Sequence, residues 1–331
     1  MKSLWITWED HRRSRELARG FHGMKYVVHE LNAVFFLRYP VLLLRTWKSL
    51  ERERPAIVFV QSPSVVLAAF MVTVGKARGC AIVVDAHNAG LAPQRRRLRL
   101  LGPLYRFIQK GADVTIVTNP LLAADVQRSG GIPFVLPDRI PSFPDVIPTK
   151  LPGRYNVAFI CTFAEDEPYQ EVIQSAALLP DDIFIHVTGD YNKAENNSLF
   201  HSSDNLVFTG FLSERDYISL LASCDAIVDL TMRDNCLVCG AYEGVALGKP
   251  LILSDTTASR RYFTQGVIFT ANHRVAVARS IIKCLNRRLQ LTEEIVKLRS
   301  QLAKDWRSSM HRLQDLIASY GIERVQLSRS R

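Results

Sequence analysis

Cysteine is scarce in this chain of 331 residues: six occur, at positions 80, 161, 224, 236, 239 and 284. Cys236 and Cys239 make a lone C-x-x-C with no second Cys or His pair at zinc spacing and no thioredoxin-like surroundings. No metal or redox cofactor is therefore expected, and the thiols should be reduced, as in a cytoplasm-like compartment. Long apolar runs are also missing. Val65–Val74 is the nearest approach, well short of the roughly 18 residues of a spanning helix, and fits a buried helix. Met1–Arg19 lacks the apolar core of a signal peptide. No Gly-x-Gly-x-x-Gly follows a strand-like run, which excludes a dinucleotide oxidoreductase. No motif interleaves aromatic and basic residues, so no nucleic-acid partner is expected.

What is present is asymmetric. Residues 1–150 hold 22 Lys and Arg against 11 Asp and Glu, and residues 151–331 hold 20 against 21. A basic first half suits an acidic partner such as a membrane surface or a phosphate-bearing substrate. The length is too great for one compact core and suits two domains.

Short apolar runs alternate with helical patterns. Strands are predicted at 4–8, 25–30, 56–61, 81–85, 113–118 and 133–136. Helices are expected at 9–19, 41–53, 64–76, 94–110 (kinked at Gly102-Pro103) and 120–129. Residues 137–152 then carry five prolines and no periodicity, which marks a linker. The alternation restarts, with strands at 156–161, 183–188, 206–208, 226–229, 251–253 and 267–269, and long amphipathic helices at 292–320. This order predicts an α/β chain with two parallel sheets. The expected organisation is a first domain over 1–140, a linker over 141–153, a second domain over 154–290, and C-terminal helices over 291–331.

The richest stretch is Gly240–Phe263, GAYEGVALGKPLILSDTTASRRYF. Glu243 stands in an otherwise apolar helix, where a carboxylate is costly unless something binds it. Leu251-Ile252-Leu253 reads as a buried parallel strand. Ser254 and Asp255 follow at its carboxyl end, where open α/β sheets bind ligands. The alternative for Glu243 is an ordinary ion pair with Arg260 or Lys249.

This passage, with Asn205–Glu214 (NLVFTGFLSE) and Ser223–Val228 (SCDAIV), resembles the nucleotide-sugar-binding region of family-4 (group 1) GT-B glycosyltransferases. The resemblance covers about Asn156 to Asn286. It implies two Rossmann-like domains facing across a cleft, with the last helix packing back on the first domain through Trp306 and Tyr320. It implies that Glu243 holds the ribose of a nucleotide diphosphate-sugar of the UDP or GDP type, and that Gly189 and Asp190 lie against the base or ribose. In retaining members a second Glu stands eight positions before the ribose Glu; here Asn235 takes that place, with Asp234 beside it. The family's Arg and Lys at the phosphate site are replaced by an acidic loop, Cys161–Pro168. Arg233, Arg260 and Arg261 are the substitutes, helped by helix N-termini near Leu237 and Thr257. In the first domain His87 matches a family His that touches the donor. Asp10, Glu9 and Asp85 follow strands and are candidate bases for an inverting reaction. Gln61 and Ser62 would line the acceptor side.

The activity implied is metal-independent transfer of a hexosyl group to a glycan or lipid-linked acceptor, in surface polysaccharide or glycolipid synthesis. A cytoplasmic protein is expected, peripheral at the inner face of the membrane. The bilayer contact would use Arg95–Leu101 with Tyr105 and Ile108, and Phe35, Phe36, Tyr39, Leu42 and Leu43. The rival readings are a sugar-nucleotide epimerase of the same fold and a non-catalytic donor-binding homologue.

Overall fold

The computed structural model describes residues 2–31, 35–62, 64–92, 100–194 and 203–329. The chain divides into two compact units, Met1–Arg139 with Asp305–Arg331, and Ile140–Lys304.

The first unit runs β1 (Ser3–Thr7), α1 (Arg12–Arg19), β2 (Met24–Val28), α2 (Phe35–Glu53), β3 (Ile57–Ser62), α3 (Val65–Phe70), β4 (Ala81–Ala86), α4 (Asn88–Leu91), α5 (Gly102–Gly111), β5 (Val114–Val117), α6 (Pro120–Arg128) and β6 (Pro133–Val135). Its six strands are parallel in the order β2-β1-β3-β4-β5-β6. The strand sequences are apolar at nearly every position because helices cover both faces. Alternation then sorts them. Leu4, Ile6, Val58, Val60, Ile82 and Val84 bury themselves in one core. Trp5, Ile57, Phe59 and Val83 turn to the opposite one, where Trp5 and Phe59 stack with centroids 5.1 Å apart.

The second unit runs β7 (Tyr155–Phe159), α7 (Tyr169–Ser175), β8 (Ile183–Thr188), β9 (Leu206–Gly210), α8 (Glu214–Ser223), β10 (Ala226–Asp229), α9 (Cys239–Leu247), β11 (Leu251–Ser254), α10 (Thr257–Tyr262), β12 (Val267–Thr270) and α11 (Arg274–Asn286). Its parallel order is β12-β11-β10-β7-β8-β9. The Gly-Lys-Pro turn begins at Gly248, whose φ of 71° ends α9 in the left-handed conformation. A last helix, α12 (Arg288–Arg329), starts in the second unit and ends in the first.

Three elements differ from the sequence reading. Helix α2 starts before Pro40 rather than after it; in an early turn the ring removes little of the hydrogen-bond ladder. Gly102-Pro103 opens α5 instead of kinking it, because proline suits a first turn. The C-terminal segment is one helix, and its deepest contacts with the first unit are Met310, Leu313 and Ile317, while Trp306 and Tyr320 are only partly buried. Of the supposed bilayer face, Leu100 and Leu101 are exposed, while Leu42, Tyr105 and Ile108 are buried and Tyr39 and Leu43 pack on the same core. An amphipathic stripe of this kind serves the interior. Residues 93–99 and the side chains of Phe35 and Phe36 lie outside the described residues.

Candidate functional site

In an open parallel sheet, ligands bind outside the carboxyl ends of the strands where the strand order reverses. Here β1 is flanked by β2 and β3, so one reversal lies between β1 and β3. The other lies between β7 and β10, since β7 is flanked by β8 and β10.

At the first reversal a cavity of about 110 Å³ opens, bounded by Thr7, Trp8, Glu9, Tyr39 and Gln61 among others. Thr7 Oγ1 donates to Gln61 Oε1 at 2.9 Å. Glu9 has His11 and Arg38 each at 3.4 Å. Asp10 is not drawn into this cavity; its carboxylate accepts from Arg15 at 2.5 Å and from the Tyr26 hydroxyl at 3.2 Å.

Beneath the loop lies a buried ion cluster. Arg13 Nε donates to both oxygens of Asp85, at 3.0 and 3.2 Å, its Nη1 to Asp138 at 2.5 Å, and its Nη2 to the Leu136 carbonyl at 2.9 Å. Burial works against the Arg13 charge, but Asp85 and Asp138 outweigh it and push its pKa up. Asp85 is fully buried with both oxygens engaged, so the expectation that it serves as a proton-accepting base is replaced by a clamp that ties β4 to α1. His87 precedes α4 in extended conformation. Burial lowers its pKa, with Asp85 opposing, so the imidazole is held neutral.

At the second reversal the loop after β7 closes on itself. Glu167 accepts from the Thr162 amide (2.8 Å), the Thr162 hydroxyl (2.8 Å) and the Ala164 amide (3.1 Å). Phe163 between them has φ 59°. Successive amides turned inward by such a residue form an anion-binding nest, and here the anion is the chain's own. Gly189 explains itself in this setting: at φ +92°, a Cβ there would meet the Cys161 carbonyl oxygen at 2.1 Å.

Asp229 ends β10 almost fully buried and accepts from the Gly240 amide in the first turn of α9 at 2.8 Å. Burial, then the neighbouring Glu167 charge, raise its pKa well above the carboxylate range, and the Gly240 hydrogen bond opposes them. Glu243 on α9 accepts from the Tyr217 hydroxyl of α8 at 2.6 Å. Burial and the Glu243 charge raise the pKa of that phenol, so it stays a donor. Arg260, one of the two alternative partners for Glu243, is paired with Asp255.

The remaining candidates of the second unit make local contacts. Ser254 is buried, accepts from the Thr231 amide at 2.9 Å and donates to Asn272 at 2.7 Å. Asp190 caps the turn at Asn192. Arg233 pairs with Asp166 at 2.9 Å. Asp234 is exposed, Asn235 half-buried, and the Asp234 carbonyl accepts from the Ala258 amide at 3.3 Å. The helix N-termini expected to offer amides are partly taken, by Asp229 at α9 and by Thr256 at α10. Among the described residues no group of three or more His, Cys, Asp or Glu is arranged to hold a metal. No helix among them is long and apolar enough to cross a membrane.

Sequence reasoning missed Arg13, Glu167, Tyr217 and Asp229. Asp229 alone left a signal: a carboxylate closing an all-apolar strand, AIVD, at the ligand-binding edge.

Comparison with known proteins fits this geometry. Residues 6–141 match the model of a glycosyl transferase 4-like domain. Anabaena HepE in complex with UDP superposes with TM-score 0.71 at 13% identity, over 96% of this chain and 100% of that one. Sucrose-phosphate synthase from Thermosynechococcus elongatus gives 0.76 at 13%, over 96% and 98%. A putative UDP-N-acetylglucosamine 2-epimerase from Listeria monocytogenes gives 0.63 at 11%, over 96% of both. No curated protein matches the sequence. Residues 6–141 thus resemble a glycosyl transferase 4-like domain, and the chain as a whole, with its two parallel six-stranded sheets, has the GT-B fold of these structures.

Proposed function

We propose that the chain transfers a hexosyl group from a nucleotide diphosphate-sugar to a glycan or lipid-linked acceptor, without a metal, the second unit binding the donor and the first the acceptor. The observation that carries the reading is Glu243: a half-buried carboxylate on α9, beside the β7–β10 reversal, its oxygen set by Tyr217. Such a group suits a pair of ribose hydroxyls, which donate to it. Structures bound to UDP are found among proteins of the same fold, which supports a uridine donor.

Charge stabilisation of the leaving diphosphate is then the main catalytic demand. Arg233 and Arg260 are its cations. Both sit in solvent-exposed pairs with Asp166 and Asp255, and such pairs are weak enough to exchange for a phosphate. On the acceptor side Glu9 lines the cavity and replaces Asp85 as the carboxylate able to take a proton; Asp10 stands next to it. His87, neutral, accepts or donates a hydrogen bond without bringing charge. Exposed Leu37, Leu44, Leu100 and Phe107 on the basic first unit are the surface through which a lipid-linked acceptor would bring the protein to a membrane.

Calorimetric titration with UDP, GDP and ADP tests the donor assignment. UDP is expected to bind, and Glu243→Ala to weaken it by about 1.5–3 kcal/mol, the worth of a hydrogen bond to a charged group. Unchanged affinity in a folded Glu243→Ala protein removes this residue from the site. An epimerase would consume donor with no acceptor present.

A further inference from the structure

We propose that the cavity at the β1–β3 reversal is a sugar-ring site and that the Gln61 carboxamide is its specificity-determining group. The inference rests on the assignment of the first unit to the acceptor. Gln61 is 3% exposed, yet its Nε2 has no hydrogen-bond partner. Turning the amide over does not cure this. Thr7 has one hydroxyl proton and two acceptors in reach, Gln61 Oε1 at 2.9 Å and the Glu9 carbonyl at 2.5 Å. If the proton goes to Gln61, the amide nitrogen is left over. If it goes to Glu9, Thr7 Oγ1 accepts from the amide nitrogen and the amide oxygen is left over. In either case a buried amide beside a cavity keeps one end unpaired, which is costly unless a ligand completes it.

The walls define that ligand. Glu9 lies between Arg38 and His11, so the carboxylate is offset by the Arg38 guanidinium and a free anion or cation finds no charge of one sign to bind. Trp8 spends its indole N–H on Thr46 at 3.0 Å. Its ring is therefore an apolar wall, tilted against Tyr39 with centroids 6.0 Å apart. An uncharged ring with an apolar C–H face and outward hydroxyls fits such walls. A hydroxyl both donates and accepts, so it completes Gln61 in either orientation.

Ligand-observed saturation-transfer NMR with glucose, galactose, mannose and N-acetylglucosamine tests this on the full chain, wild type against Gln61→Leu, with thermal unfolding and UDP calorimetry in parallel. The expected result is that at least one sugar binds the wild type and binds Gln61→Leu at least tenfold more weakly, while Tm holds or rises because the orphaned amide is gone. Gln61→Met replaces Gln61→Leu if the latter does not fold. No sugar signal from wild type overturns the inference. So does a signal that survives the substitution, with or without a fall in Tm. The UDP titration separates the two claims. Gln61-dependent sugar binding without UDP binding sinks the donor assignment and keeps the cavity; UDP binding with Gln61-independent sugar binding does the reverse.

Discussion

The two strand-order reversals share one backbone plan and end in opposite states. After β1 the loop leaves a cavity and an unpaired amide, at Gln61. After β7 the loop is filled by its own carboxylate, Glu167, on the amides of Thr162 and Ala164. Both loops are acidic, so composition does not make the difference. Direction does: Asp10 is held away by Arg15 and Tyr26, whereas Glu167 is turned back onto the loop across the left-handed Phe163. A backbone nest at a ligand-binding edge is an anion site only when no carboxylate of the chain reaches it first. This is why the Arg and Lys implied by the family resemblance are missing without leaving the loop unstable.

The comparison breaks most visibly if the open reversal loses its clamp. Arg13→Ala would strand Asp85 as a buried, unpaired charge and orphan Asp138 and the Leu136 carbonyl. Removing one partner of a buried ion pair costs about 3–5 kcal/mol. Urea unfolding should show a loss of that size, and Arg13→Lys should not restore it, because one ammonium cannot reproduce the fork that meets both Asp85 oxygens. A loss under 1 kcal/mol would mean that the cluster is decoration.

The closed reversal is tested by opening it. Glu167→Ala removes four hydrogen bonds from a half-buried carboxylate, the weakest of them from the Cys161 thiol. Discounted for solvent, the cost is about 1–2 kcal/mol. The same change frees two amides, so inorganic pyrophosphate should bind the variant more tightly than the wild type. Titration that finds equal affinity would show that the nest is not an anion site even when empty.

Much of the fold was legible because parallel strands buried on both faces leave unbroken apolar runs, such as AIVV at 81–84 and LILS at 251–254. Helix edges were less legible: whether Pro40 or Gly102-Pro103 opens, interrupts or ends a helix depends on what packs on it. In the candidate site the partnerships were not legible. Glu243 drew notice as a carboxylate among apolar neighbours, but Tyr217, 26 residues earlier, is brought to it only by the packing of α8. Asp85 stood out as polar at a strand end, and nothing in the sequence tied it to Arg13, 72 positions away. The cations near Arg95–Arg99 suggested a membrane face, while Leu42, Tyr105 and Ile108, read with them, were answering to the core.

The last test discriminates best, because it reads the acidity of the closed reversal directly. Asp229 lies buried, near Glu167 and Glu243, with backbone hydrogen bonds from Gly240 and Ala241 in its favour. Its folded-state pKa is raised above the unfolded value of about 3.9. Between those two values the folded chain holds a proton that the unfolded chain has lost, so stability falls as pH rises through the window and levels off above it. Asp229→Asn keeps the acceptor for the Gly240 amide and removes the titration. The variant should therefore gain on the wild type from about pH 4 upward and reach a plateau above the raised pKa. In the Glu167→Ala background the advantage of Asn should shrink, since one of the charges that raise the Asp229 pKa is gone. An advantage that is flat with pH, or that does not change with Glu167, would separate the two carboxyls and remove the reason for regarding this reversal as one acidic unit.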